Sequence, residues 1–131
     1  MIAAALAHAR QQSLKPLSVI ALDARASLVA AQSEDGVSIM RPRIAHGKAN
    51  GAIQLGMGSR ALMNRAEQQA YFVDSINGVA GGDLVPVPGG VLIMDGDALI
   101  GAVGISGDTS DNDEAAAVAG IEAAGFSPVT G

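Results

Sequence analysis

Two histidines are the residues whose chemistry best suits metal binding or proton transfer. His8 lies in the stretch Ala7-His8-Ala9-Arg10, and His46 precedes Gly47. An imidazole nitrogen binds metals and exchanges protons near neutral pH. No His-Glu-x-x-His or other short ligand cluster surrounds either residue, so the spacing gives no support to a two-histidine metal site. The alternative for His8 is a surface or interface histidine, and for His46 a solvated or helix-capping one.

A second group of residues is suited to binding an anion. Ser106 and Thr109 stand where a helix is predicted to begin, and free N–H groups at such a point attract carboxylates and phosphates. Arg43 and Lys48 are the basic residues placed to contact the same anion. The alternative to anion binding for Ser106 and Thr109 is that this turn simply caps the helix. The alternative for Lys48 is a hydrogen bond that caps a nearby carbonyl.

Five glycines mark positions where the backbone can be approached closely. They are Gly89, Gly90, Gly101, Gly104 and Gly107. The last three fall on or just after a predicted strand and lack the G-x-G-x-x-G spacing of a dinucleotide site. Missing side chains would instead admit a helix, a second subunit or a flat ligand. No G-x-S-x-G element accompanies Ser106, so no catalytic residue is assigned and an enzymatic activity stays an open question.

Composition narrows the class of protein. The 131 residues are 49% hydrophobic but only 2% aromatic, which predicts one domain, residues 1–131, with a core of small aliphatic side chains. The net charge of -5, with scattered basic residues, argues against nucleic-acid binding. Absence of cysteine excludes disulfides and thiolate chemistry. The apolar first ten residues are too short to cross a bilayer and lack the basic leader of a signal peptide. This favours a cytoplasmic protein without membrane association, and an exported form is the alternative.

Periodicity and turn signals predict the elements that position these residues. We expect an α+β fold in which an antiparallel sheet of about five strands is flanked by helices. Two predicted helices cover residues 2–13 and 42–55. A third, short helix is expected to be capped by Ser59, and a last one to begin at a capping pair, Asp111 with Glu114, and to end at residue 124. The predicted strands cover residues 17–22, 28–31, 91–94 and 99–106, as two hairpins, and residues 71–82 are expected to be loop or a short strand.

Three segments of the second half resemble the GlcG/HbpS-like family, which includes the carboxy-terminal domain of PduO-type proteins. They are Pro88 to Val91 with Asp95-Gly96, the glycine-rich run Ile100 to Gly107, and Asp113-Glu114. Upstream, Val19 to Asp23, Leu28 to Ala30 and Ala45 to Ala49 are similar to the family's first two strands and central helix. The resemblance therefore spans nearly the whole chain.

The resemblance implies a small ligand. In PduO-type members an axial haem ligand lies in a context similar to that of His8, so His8 is the haem-ligand candidate, with Lys48 or Arg43 contacting a propionate; no metal other than haem iron is expected. The GlcG-type branch implies the alternative of a protein that binds or acts on a small organic acid in a catabolic pathway. A third alternative is a structural accessory subunit, because the Ala- and Gly-rich helices suit a symmetric homo-oligomer.

Overall fold

The computed structural model describes residues 1–131 and contains five helices and five strands. The helices are α1 (Ile2–Gln11), α2 (Arg41–Leu55), α3 (Ser59–Gln68), α4 (Ala70–Val79) and α5 (Ser110–Ala123). The strands are β1 (Ser18–Asp23), β2 (Leu28–Ser33), β3 (Gly90–Asp95), β4 (Ala98–Ser106) and β5 (Ser127–Val129). No helix is long and apolar enough to span a membrane.

The five strands form one antiparallel sheet in the order β2-β1-β4-β3-β5. Both predicted hairpins are present, β1 with β2 and β3 with β4. The hairpins join through β1 and β4, whose register runs from Ser18 opposite Ser106 to Asp23 opposite Gly101. The predicted α+β architecture is thereby confirmed, with β4 at the centre of the sheet.

The alternation of side chains along the strands separates two cores. On one face, Val19, Val103 and Ile105 pack beneath α1 and α5. On the other, Ile20 and Leu22 belong to the cluster that packs against α2. Helices thus cover both faces of the sheet, and residues on α1 and α2 lie on opposite sides of it.

One predicted segment and two predicted caps are wrong. Residues 71–82 were expected to be loop or strand, but most of them form α4, which packs against α3 and buries Val73. Ser59 follows the N-cap residue Gly58, and its Oγ instead accepts a hydrogen bond from the Gly90 N–H at 2.7 Å. At α5 the capping side chain is that of Thr109.

Strand β2 forms an exposed edge of the sheet. All six of its residues are exposed, with Leu28 at 63% and Val29 at 67%. Beside it, an apolar groove of about 410 Å³ runs between β2 and the start of α1, and Met1, Ile2 and Val29 are among its lining residues. The fold therefore leaves exposed apolar side chains at this edge, next to an apolar groove.

Candidate functional site

The imidazole of His8 is free of contacts with other polar groups. His8 lies on α1 and is partly buried, and neither ring nitrogen makes a hydrogen bond or ion pair. On helix α1, Ala4 lies one turn before His8 and Gln11 one turn after it, on the same face of the helix. Ala7 is exposed beside it. The ring is therefore available to a ligand on a surface with small neighbouring side chains, although it lines none of the cavities of the chain.

The side chain of Lys48 is buried and binds groups within the protein. It is 2% exposed, and its Nζ lies 3.0 Å from Asp113 Oδ2 and 2.9 Å from the Ile105 carbonyl oxygen, to which it donates. Burial lowers the pKa of Lys48 and raises that of Asp113, while the attraction between the two opposes both shifts. Because Lys48 belongs to α2 and Asp113 to α5, this ion pair links the helices of the two layers past the end of the sheet.

Helix α2 fills the space opposite the strand glycines. A Cβ at Gly104 would overlap the Ala45 carbonyl oxygen, and one at Gly90 would overlap that of Lys48. Gly89, in a positive-φ conformation, leaves room for the Lys48 side chain. Helix α2 of the same chain is therefore the element that packs closely against the backbone at these glycines. The space without side chains is filled by α2 and does not form a cleft.

Gly101 and Gly107 are crowded by other backbone segments. A Cβ at Gly101 would overlap the carbonyl oxygen of Leu22, on the neighbouring strand β1. A Cβ at Gly107 would overlap the carbonyl oxygen of Pro16, in the segment that precedes β1. Both glycines serve the packing of the chain against itself.

The turn before α5 is held by the chain's own carboxylates. The Asp108 carboxylate accepts from the Thr109 N–H at 2.8 Å and the Asn112 Nδ2 at 2.6 Å, while Asp113 Oδ1 accepts from the Asp108 N–H at 2.9 Å. The bonds from Asn112 Nδ2, from the Lys15 N–H and from the Thr109 N–H lower the pKa of Asp108 to about 2.

The two hydroxyls predicted for anion binding have partners within the protein. Thr109 Oγ1 accepts from the Asn112 N–H at 3.2 Å and caps α5. Ser106 is buried, and its Oγ accepts from Arg41 at 3.2 Å. Asp111 and Glu114, predicted as a capping pair, instead both bind Arg60. The structure therefore does not assemble Ser106, Thr109, Lys48 and Arg43 around one ligand.

Arg43 lies in a separate polar cavity. The cavity has a volume of about 330 Å³, and its lining residues are Arg43, His46, Gly81, Gly82 and Asp83. The Nδ1 of His46 is hydrogen-bonded to Asp83 Oδ2. Sequence reasoning proposed Arg43 but assigned His46 a solvated role and did not pair it with Asp83, since 37 residues separate the two. The run Gly81-Gly82-Asp83 was the available signal, because paired glycines favour a tight turn that can carry an acidic side chain.

The comparisons with known proteins decide the family. A family model described as haem degrading protein HbpS-like matches residues 1–122. The chain belongs to the HbpS-like family. A search of curated protein sequences finds no significant match.

Solved structures share the fold of this HbpS-like chain. The crystal structure of a PduOC–haem complex superposes with a TM-score of 0.85 at 23% identity, covering 95% of this chain and 88% of that one. The Klebsiella pneumoniae protein ORFY gives 0.81 at 21% identity, covering 92% and 83%. A double mutant of Streptomyces reticuli HbpS gives 0.80 at 21% identity, covering 93% and 80%. The sequence-based assignment to the GlcG/HbpS-like family is confirmed.

Proposed function

We propose that this protein binds haem and that His8 ligates the iron. The observation that carries the proposal is the free imidazole of His8 on α1. Membership of the HbpS-like family and the likeness to a PduOC–haem complex support the choice of ligand.

The residues around His8 suit a flat macrocycle. Ala4 and Ala7 have side chains of one carbon, so a porphyrin can approach the helix without displacing large groups. An imidazole nitrogen is a common ligand of haem iron, and the iron supplies whatever redox chemistry follows. The chain's own contribution is to present the imidazole nitrogen on α1.

Propionate contacts to Lys48 and Arg43 are not part of the proposal. Lys48 is buried against Asp113, and Arg43 belongs to α2, on the face of the sheet opposite α1. Arg10, two residues after His8, is bound to Glu34 and to the carbonyls of Leu14 and Lys15. In one chain, His8 and these cations therefore do not meet at one haem.

A titration of hemin into the wild type, His8→Ala and His46→Ala tests the proposal. We expect a saturable Soret shift in the wild type and in His46→Ala, and binding weakened at least tenfold in His8→Ala because the axial ligand is lost. Added imidazole should restore the band in His8→Ala. Equal Soret behaviour of the wild type and His8→Ala, or loss of the band in His46→Ala alone, would remove His8 from the site.

We also propose that copies of the chain associate through the exposed β2 edge. Unpaired strand edges with apolar side chains readily pair with another chain, and Leu28 and Val29 provide such an edge. Native mass spectrometry of the hemin samples reports copy number and haem stoichiometry together. A monomer at every concentration would contradict self-association without affecting the haem assignment.

A further inference from the structure

We infer that the cavity formed by Arg43, His46 and Asp83 is a second ligand site, which binds a small oxyanion that also carries a hydroxyl group. The proposal goes beyond haem binding and uses residues on the opposite face of the sheet from His8. Two sources share this chemistry, a hydroxycarboxylate and a hydrogen phosphate ion.

Arg43 is a cation without a partner inside the protein. Its guanidinium makes no hydrogen bond or ion pair, and it is exposed within the cavity wall. Four of the other five arginines bind side chains of the chain, namely Arg10, Arg41, Arg60 and Arg65. A guanidinium offers paired N–H donors that match the two oxygens of a carboxylate or phosphate. Arg43 is therefore the group that would take the anionic end of a ligand.

His46 lines the same cavity as Arg43. Arg43 and His46 are three residues apart on α2, which places them on one face of the helix. A carboxylate oxygen only accepts, so the contact with Asp83 places a proton on Nδ1, and in that tautomer of the imidazole Nε2 is an acceptor. A hydroxyl of the ligand can donate to it. An anion with an adjacent hydroxyl satisfies Arg43 and His46 together.

The position of Asp83 is fixed by the backbone around it. Asn50 Nδ2 donates to the Asp83 carbonyl oxygen at 2.8 Å, and the Val85 N–H donates to the Gly47 carbonyl oxygen at 3.1 Å. A Cβ at Gly47 would lie 2.6 Å from Val85 Cγ2 and 3.0 Å from Asp83 Oδ1, so the absence of a side chain lets this segment lie close to α2 directly after His46. The backbone that carries Asp83 is therefore held against the helix that carries His46.

The size of the cavity sets the class of ligand. Gly81 and Gly82 adopt φ of 79° and 80° and place no side chain in the wall. The volume of about 330 Å³ lies at the lower end of the roughly 300–1,000 Å³ range of small-molecule pockets, which favours a small ligand. The lining contains no hydrophobic residue, which suits a small polar anion and not an apolar group.

The test is a titration with lactate, propionate and inorganic phosphate in 0.15 M salt, followed by the imidazole NMR signals. The chain has only two histidines, so the signals of His8 and His46 serve as internal reference and reporter. We expect lactate or phosphate to move the His46 signals saturably, with the His8 signals unchanged. Propionate, which lacks the hydroxyl, should bind at least about fivefold more weakly than lactate. No saturable shift at His46 with any probe, or equal binding of lactate and propionate, would overturn the proposal.

Two charge-matched variants separate the site from general electrostatics. Arg43→Gln should weaken binding of the preferred probe about tenfold or more, because a charge-assisted contact is lost. Arg25→Gln removes the same charge from an exposed residue in the β1–β2 turn, whose side chain makes no hydrogen bond or ion pair, and should change binding less than twofold. Equal losses in both variants would refute a specific site. His8→Ala should bind the probe as the wild type does, so failure of the haem proposal leaves this one standing.

Discussion

Replacing Lys48 by methionine removes the cation of a buried ion pair and leaves the carboxylate of Asp113 inside the protein. The two side chains are 2% and 1% exposed, and their charged atoms are 3.0 Å apart. Methionine retains an unbranched, flexible side chain, so the change removes charge more than packing. The perturbation therefore reports on the electrostatic role of the link between α2 and α5.

The expected loss of unfolding free energy is about 3–5 kcal/mol, the range for removing one partner of a buried pair. The Ile105 carbonyl oxygen also loses the 2.9 Å bond from Nζ. With an unfolding entropy of ~2.1 cal/mol/K per residue, the 131 residues give a fall in Tm of roughly 11–18 °C. Burial already raises the pKa of Asp113, and losing Lys48 strengthens that shift. The loss of unfolding free energy in Lys48→Met should therefore be largest at neutral pH and become smaller as the Asp113 carboxyl takes up a proton at lower pH.

Urea unfolding followed by circular dichroism measures the effect, with Lys15→Met as the matched control. Lys15, the other lysine of the chain, is exposed, and its substitution should change stability by less than about 0.5 kcal/mol. The double variant Lys48→Met/Asp113→Leu should lose less than Lys48→Met alone, because no unpaired charge stays buried. A loss below about 1 kcal/mol in Lys48→Met would refute the reasoning. So would a double variant whose loss equals the sum of the losses of Lys48→Met and of the single variant Asp113→Leu.

Two further predictions concern packing and pH. Gly104→Ala should lower the free energy of unfolding in urea by about 2 kcal/mol or more, because its Cβ would overlap the Ala45 carbonyl oxygen. The control Gly78→Ala, with open space around it in α4, should be neutral or stabilising. Similar losses in both variants would contradict the close-packing argument. The Asp108 carboxylate has a pKa of about 2 in the folded protein, below its usual 3.8, so its contribution is present above the unfolded value and is lost as the pH falls from about 4 to 2. Asp108→Asn should flatten that part of the stability curve, and an unchanged acid limb would exclude Asp108 as its source.

The elements with strong local signals could be predicted from the sequence. The Asp95-Gly96 turn sets the β3–β4 hairpin, and Pro42 marks the start of α2. Helix α4 could not be found in this way, because its β-branched and aromatic residues are weak helix formers and its stability comes from packing on α3. Strand β5 has three residues, one of them Pro128, and depends on pairing with β3 at the sheet edge.

The site was less predictable than the fold because it depends on contacts between distant parts of the chain. Lys48 was expected to face a ligand, but its partner Asp113 lies on another helix and the two meet only once both helices pack on the sheet. The pairing of His46 with Asp83 has the same origin. Residue type indicated which side chains can carry charge or protons, and the tertiary structure decided which of them are neutralised internally.

The pairing of β1 with β4 imposes an order on biosynthesis. Residues 18–23 emerge from the ribosome early, yet their central neighbour is residues 101–106. Until that strand has been translated, the sheet against which the first hairpin and α2 pack is incomplete. Ile20 and Leu22 then stay exposed and accessible to chaperones. The native pairing of the first hairpin therefore waits until residues 101–106 have been made, and slower translation between the two strands would prolong the exposure of Ile20 and Leu22.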